Sequence, residues 1–226
     1  MEQYDALKRA VGRADACELL SRAFAYPDDV LVAALVEGAL ADDAQSCLLD
    51  MGASISVAGD STAGLRSWAE SSVADVLSEM RKTYSRLYLA PGGRTPIFPY
   101  ESAFLHVSMG APGAPSLFRT PVTLDVEQCM REAGVVAKNG RKEPCDSVQE
   151  EFEFLSYLFA QQAEAIRTEN EEALTSRNEQ AQSFLRSHAL AWLPRFMEQT
   201  CDLTDGPYAA LALYASAILA HLSDEK

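Results

Sequence analysis

Residues 84–105 read YSRLYLAPGGRTPIFPYESAFL. Tyr84, Leu87 and Tyr88 continue a helical face, because Val73, Val76, Leu77, Met80, Tyr84, Leu87 and Tyr88 recur at i, i+3, i+4 and i+7 spacing. Pro91, Gly92, Gly93, Pro96 and Pro99 then break the helix. The chain resumes at Tyr100-Glu101-Ser102. A loop that merely joined two helices would be shorter and more polar. This one carries Tyr88, Phe98, Tyr100 and Phe104 on a proline-stiffened frame, and it is read as one wall of a groove.

Outward from that stretch, helical periodicity dominates. A first helix is expected over about Gln3–Phe24, with Leu7, Ala10, Val11, Ala14, Leu19 and Ala23 near one stripe. Tyr26-Pro27 ends it. A second runs from Asp28 or Asp29 to Leu40 with Val30, Leu31, Ala34 and Leu35 inward, and a short one lies around Ala44–Met51. Gly52–Ala63 reads as a Ser/Gly-rich loop, and a long helix covers about Thr62–Leu89. Ser102–Ser108 holds a turn or two, and Met109–Phe118 is loop. Thr123 caps a helix ending at Gly134, and Val135–Glu143 is extended. Ser147-Val148-Gln149-Glu150 is a capping box, with Asp146 an alternative cap. The helix it opens, to about Arg167, turns Phe152, Leu155, Leu158 and Phe159 inward. Further helices are expected over about Glu171–Ser187, from Trp192-Leu193-Pro194 to Thr200, and over Pro207–Leu222.

The fold class is therefore all-α: one helical domain over 1–226, with about eight or nine helices and no strand. N-terminal helices occupy 1–89, a Pro/Gly-rich hinge and groove loop 90–121, and C-terminal helices 122–226. The hinge is compatible with a monomer or with a domain-swapped dimer.

Composition narrows the functional classes. At 226 residues with 48% hydrophobic content the chain can bury a sizeable core. Its net charge of −14 argues against nucleic acid as a partner. Tyr208–Leu222 is the longest uncharged apolar run, too short for a membrane span of roughly 20 residues, so no stable membrane insertion is expected. The start, MEQYDALKRAV, has no basic segment followed by an apolar core, so no export signal is expected. Five separated cysteines without a C-x-x-C pair fit reduced thiols in a cytoplasm. His106, His188 and His221 have no metal-ligand spacing and read as surface or satisfied core residues. Between Glu143 and Glu172 nine acids face one base, Arg167, which reads as a solvated face or as a docking surface for a basic peptide. No phosphate-binding loop, nucleophile elbow or zinc motif is present. Glu151 and Glu153 stand two apart and share no helix face. The chain is expected not to be an enzyme.

Three ordered motifs carry a resemblance. Tyr84, Leu87, Tyr88 and Pro91 form Y-x-x-L-[FY]-x-x-P; Pro96, Pro99, Tyr100, Glu101 and Ser102 form P-x-x-P-Y-E-S; Glu143, Pro144, Asp146, Glu151, Glu153, Phe154 and Leu155 form E-P-x-D-x-x-x-x-E-x-E-F-L. Downstream, Phe184, His188, Trp192, Pro194 and Phe196 continue the pattern. From about Ser71 to Leu222 the chain resembles the TorD/DmsD/NarJ family of redox-enzyme maturation chaperones. The resemblance implies a TorD-like, all-helical, non-enzymatic cytoplasmic protein. It implies as partner the catalytic subunit of a molybdopterin oxidoreductase, often held at its twin-arginine signal peptide until the cofactor is loaded. It implies no resident cofactor, with weak GTP binding in some members. By family match the client-binding set is Tyr84, Leu87, Tyr88, Pro91, Pro99, Tyr100, Glu101, Ser102, Asp146, Ser147 and Glu151. Glu101 also reads as a first-turn acid helping to cap the helix at 102–108, and Glu151 and Glu153 as structural or solvated. The third motif departs from the family's usual Asp-His, having Asp146-Ser147, and Ala90 precedes Pro91 where relatives often have Gly. Three rivals stand beside this reading: a NarJ-like assembly chaperone of a reductase that is not exported, a nucleotide-dependent hydrolase or switch, and a helical scaffold with no peptide groove.

Overall fold

The computed structural model describes residues 2–90, 95–137 and 143–224. Its elements are α1 (Glu2–Ala23), α2 (Asp29–Val36), α3 (Ala39–Asp50), α4 (Ile55–Arg66), α5 (Val73–Tyr88), α6 (Glu101–Ser108), α7 (Pro121–Glu132), α8 (Val148–Arg167), α9 (Glu171–Phe184), α10 (Leu190–Leu203) and α11 (Pro207–Asp224). A π turn over Leu185–Ala189 joins α9 to α10 in one continuous run. The described residues thus hold ten helical rods and no strand, an all-α fold with more helices than the eight or nine expected.

The core interleaves the two halves of the chain. α1 lies chiefly against α8, α11 against α10 and α4, and α3 against α1 and α4. The buried stripe of α1 is Ala10, Ala14, Cys17, Leu20 and Ala23, while Val11, expected inward, is 38% exposed. On α2 the inward residues are Leu31, Val32 and Leu35, and Val30 faces solvent. In α11 Tyr208, Leu211, Tyr214, Ile218 and Leu222 are all buried, which makes it a core helix. Among the described residues no helix is long and apolar enough to cross a membrane.

Four boundaries differ from expectation for local reasons. Gly38, at φ 82°, turns the chain between α2 and α3, so the second helix stops at Val36 instead of Leu40. The segment 52–63 is not a loop. Ser54 accepts the Val57 N–H at 3.3 Å, and Ala58, Thr62 and Leu65 bury one face of α4. The long helix over 62–89 is two helices, parted where the Glu70 N–H bonds the Val36 carbonyl at 2.9 Å and Ser72 caps α5. Thr120, not Thr123, caps α7.

Gly12 sets the approach of α1 to α3. A Cβ there would lie 2.8 Å from Asp50 Cβ, 3.1 Å from the Cys47 carbonyl oxygen and 3.1 Å from Met51 N. Gly12→Ala is expected to destabilise by about 1–3 kcal/mol through overpacking, although alanine is the better helix former by about 1 kcal/mol. Urea unfolding measures the sign, and a stabilised variant would mean that α3 shifts aside freely.

Candidate functional site

The second and third motifs meet. Residues 99–102 lie against 146–148 as a short antiparallel clamp bridged at Tyr100 and Ser147. Val148 N–H donates to the Pro99 carbonyl at 3.0 Å, and Glu101 N–H donates to the Asp146 carbonyl at 2.8 Å. Asp146 Oδ2 accepts the Ser102 N–H at 3.0 Å. No side chain of Tyr100 caps α6, so Asp146 satisfies that helix N-terminus from a segment 44 residues away. Ser147 accepts the Glu150 N–H at 3.2 Å and caps α8, the role the capping box predicts. Ile97 N–H donates to the Leu87 carbonyl at 3.1 Å, which ties the same loop to α5.

Beneath the clamp lies a sealed polar cluster. Glu101, Asp146, Glu151 and His188 are 0–3% exposed. His188 Nδ1–H donates to Glu101 Oε2 at 2.8 Å. The Trp192 indole N–H is shared between the two carboxylate oxygens of Glu151 at 3.1 and 3.0 Å. Burial opposes charge on His188, yet Cys129, the Glu101 carboxylate and Glu151 outweigh it and push the ring up to about 10. Burial, with Glu101 beside it, holds the Glu151 carboxyl well above its ordinary range. Asp146 Oδ1 and Ser102 Oγ are buried with no hydrogen-bond partner.

The aromatic residues divide between core and rim. Leu87 and Tyr88 are buried, and the Tyr88 hydroxyl pairs with Thr200 Oγ1 at 2.9 Å. Tyr84 is half-buried, stacking edge-on against Tyr26 at 5.5 Å and Tyr88 at 5.1 Å. Tyr100 is half-exposed and donates to Glu143 Oε1 at 2.9 Å. Burial and the Glu143 charge both raise the hydroxyl pKa of Tyr84 and Tyr100, so both stay neutral donors.

Of the eleven residues matched to the family, Leu87, Tyr88, Pro99, Glu101, Ser102, Asp146, Ser147 and Glu151 are therefore interior in this conformation. Tyr84 and Tyr100 reach the surface. Pro91 lies outside the described residues, as do Gly92, Gly93 and Arg94. Glu101 does not cap α6, since its carboxylate is taken by His188. The acidic stretch from Glu143 to Glu172 is not one face: Asp146 and Glu151 are interior, Glu143 and Glu153 are exposed, and Glu164 pairs with Arg167. His188, Trp192, Glu143 and Tyr26 complete the site beyond that set. The i, i+4, i+8, i+12 spacing of Phe184, His188, Trp192 and Phe196 was the signal that could have found the first two. Among the described residues no group of three His, Cys, Asp or Glu side chains is placed to hold a metal ion. A cleft of about 330 Å³ beside Arg13, Phe159 and Leu185 involves none of the motif residues.

Fold and site define an all-α protein whose polar centre, a carboxylate–imidazole cluster, is sealed under a rim of tyrosines and an exposed acid. A model of the family described as nitrate reductase delta subunit matches residues 57–198, and the chain belongs to that family, the NarJ/TorD group. It is also similar to the Chaperone protein TorD of Vibrio atlanticus (strain LGP32), with 30% identity over 115 residues, 50% of this chain and 49% of that one. The match thus spans about half the length of that curated relative.

Proposed function

We propose that this protein is a maturation chaperone for the catalytic subunit of a molybdopterin-containing reductase, holding its twin-arginine signal peptide before export. The observation that carries the reading is the convergence of motifs far apart in sequence on one clamp, Tyr100 against Ser147. Family membership supports it, and so does the name of the TorD relative. The mechanism is reversible binding without bond chemistry. A twin-arginine peptide joins a basic end to an apolar stretch. Tyr26, 52% exposed, with Tyr84 and Tyr100 offers ring faces to the apolar part. Glu143, exposed beside Tyr100, offers a carboxylate to a guanidinium. The interior residues Glu101, Asp146, Glu151 and His188 give that rim its shape.

Titration calorimetry with a synthetic twin-arginine peptide tests the proposal. Tyr100→Ala is expected to weaken binding about tenfold, about 1.4 kcal/mol, with an unchanged circular dichroism spectrum. Equal affinity for a peptide whose arginines are replaced by glutamine would remove the signal-peptide assignment.

The description of the matching family favours one second reading, an assembly chaperone of a nitrate-reductase-type subunit that stays in the cytoplasm. Pull-down of tagged protein from its native cell, followed by mass spectrometry, separates the two through the N-terminus of the captured subunit. Recovery of no large molybdopterin-type subunit under conditions where one is expressed would overturn both, and turnover of GTP would then be measured.

A further inference from the structure

The cleft of about 330 Å³ shares no residue with the clamp or the tyrosine rim. It falls at the small end of the range for ligand sites, about 300–1,000 Å³. Its floor is apolar: Phe159 from α8, Leu185 from the π turn and Leu222 from α11 are all buried. One wall is a row of carboxamides. Asn178 and Gln182 stand one turn apart on α9 and are exposed. Gln162 of α8 joins them from the interior, only 4% exposed, with its Nε2 donating to the Arg177 carbonyl at 3.4 Å. Arg13 of α1 completes the lining. It is half-buried, and its guanidinium carbon lies 5.8 Å from the centroid of the Phe159 ring. Among the described residues that line the cleft, Arg13 is the only charged one, in a chain where 33 acids face 19 bases. The cleft is thus a cationic spot on an acidic protein, and it complements negative charge. A guanidinium has five donors in a fork that matches a carboxylate, so it takes one beside its other bonds. A carboxamide both donates and accepts, which suits the N–H and C=O of an amide.

We propose that this cleft binds an N-acylated apolar amino acid, either free or as the last residue of a peptide chain. Its carboxylate meets Arg13. The adjoining amide meets the carboxamides of Gln162, Asn178 and Gln182. The apolar side chain lies on Phe159, Leu185 and Leu222. Binding is reversible and makes no covalent bond. The site is separate from the tyrosine rim, so neither assignment depends on the other.

The test titrates the whole chain with N-acetyl-leucine by calorimetry. Saturable binding is expected with a Kd of about 1 mM or below, the scale for one charge-assisted pair and a small apolar contact. N-acetyl-leucinamide, which lacks the carboxylate, is expected to bind at least ~10-fold more weakly. Isocaproate, which lacks the amide, is expected to bind several-fold more weakly. Arg13→Gln is expected to bring N-acetyl-leucine down to the level of the amide analogue and to leave the analogue's own binding unchanged, a pattern that a misfolded variant does not give. Gln182→Ala, a change on an exposed side chain, is expected to weaken N-acetyl-leucine several-fold. A pentapeptide, Gly-Ser-Gly-Ala-Leu, bound at least as tightly assigns a chain end as the ligand, and weaker binding of it assigns the free N-acyl amino acid. Absence of saturable binding, or equal affinity for the amide analogue, overturns the proposal. Loss of N-acetyl-leucine binding in Tyr100→Ala places the ligand on the tyrosine rim and overturns it as well.

Discussion

Replacing His188 with leucine is expected to destabilise the protein by about 3–5 kcal/mol, the range for breaking a buried ion pair by removing one partner. His188 and Glu101 have side chains only 3% and 2% exposed, so neither charge is relieved by water. Leucine leaves Glu101 facing Glu151 without a cation between them. The double replacement of His188 and Glu101 by leucine is expected to recover much of that loss, because it removes the stranded charge. Equilibrium unfolding in urea at neutral pH measures both. A single replacement that costs no more than a surface substitution would show that the pair adds nothing.

The same ring sets a pH dependence. Its pKa is raised from 6.5 in the unfolded chain to about 10 in the fold. The native state therefore binds a proton that the unfolded state has released between those values. Its stabilising contribution is complete below 6.5 and is lost as pH rises through about 10. The Glu151 carboxyl is likewise raised, so it acts in the same sense from 4.5 upward. Stability is expected to fall from pH 6.5 to 10 in the native protein and to fall less steeply in His188→Leu. Parallel profiles would contradict the assignment.

Trp192→Ala is the second large effect, expected at about 3–5 kcal/mol for loss of a buried tryptophan. Trp192 is fully buried and packs against Phe104 and Phe196 with ring centroids 5.6 and 5.3 Å away. Trp192→Phe separates packing from hydrogen bonding. It keeps most of the ring but removes the indole N–H that both oxygens of Glu151 share. That variant is expected to cost about 1–3 kcal/mol, the range for a buried acceptor left unsatisfied. A phenylalanine variant as stable as the parent would mean that Glu151 is held by charge alone.

The all-α class was legible in the sequence because the buried helices carry their apolar faces at helical spacing. α8 is the clearest case, with Phe152, Leu155, Leu158 and Phe159 all interior as expected. α4 was not legible, since ISVAGDSTAGLR is rich in residues that favour turns. Burial of Ala58, Thr62 and Leu65 in the core overrides that propensity. The break between α4 and α5 was hidden for the opposite reason: Ser67–Ser72 contains neither glycine nor proline, and Glu70 takes a positive φ of 65° instead. At the candidate site, motif order pointed to segments that the fold brings together, but the polarity of Glu101, Asp146 and Glu151 suggested surface contacts. Only the fold shows that a buried imidazole, an indole N–H and an α6 N-terminus occupy those carboxylates, and no local pattern encodes partners that distant.

The remote cap on α6 also dictates an order of events during synthesis. The N–H groups of Glu101 and Ser102 find their acceptors only on Asp146. Until the ribosome has passed that residue, α6 begins with open donors and residues 99–102 have nothing to lie against. The same delay holds for α1, whose main partner α8 begins at Val148. More than half of the chain must be made before either its first helix or its central loop acquires its final contacts. The nascent N-terminal half therefore spends its synthesis with apolar faces uncovered, and its collapse depends on long-range closure, the slow class of folding step.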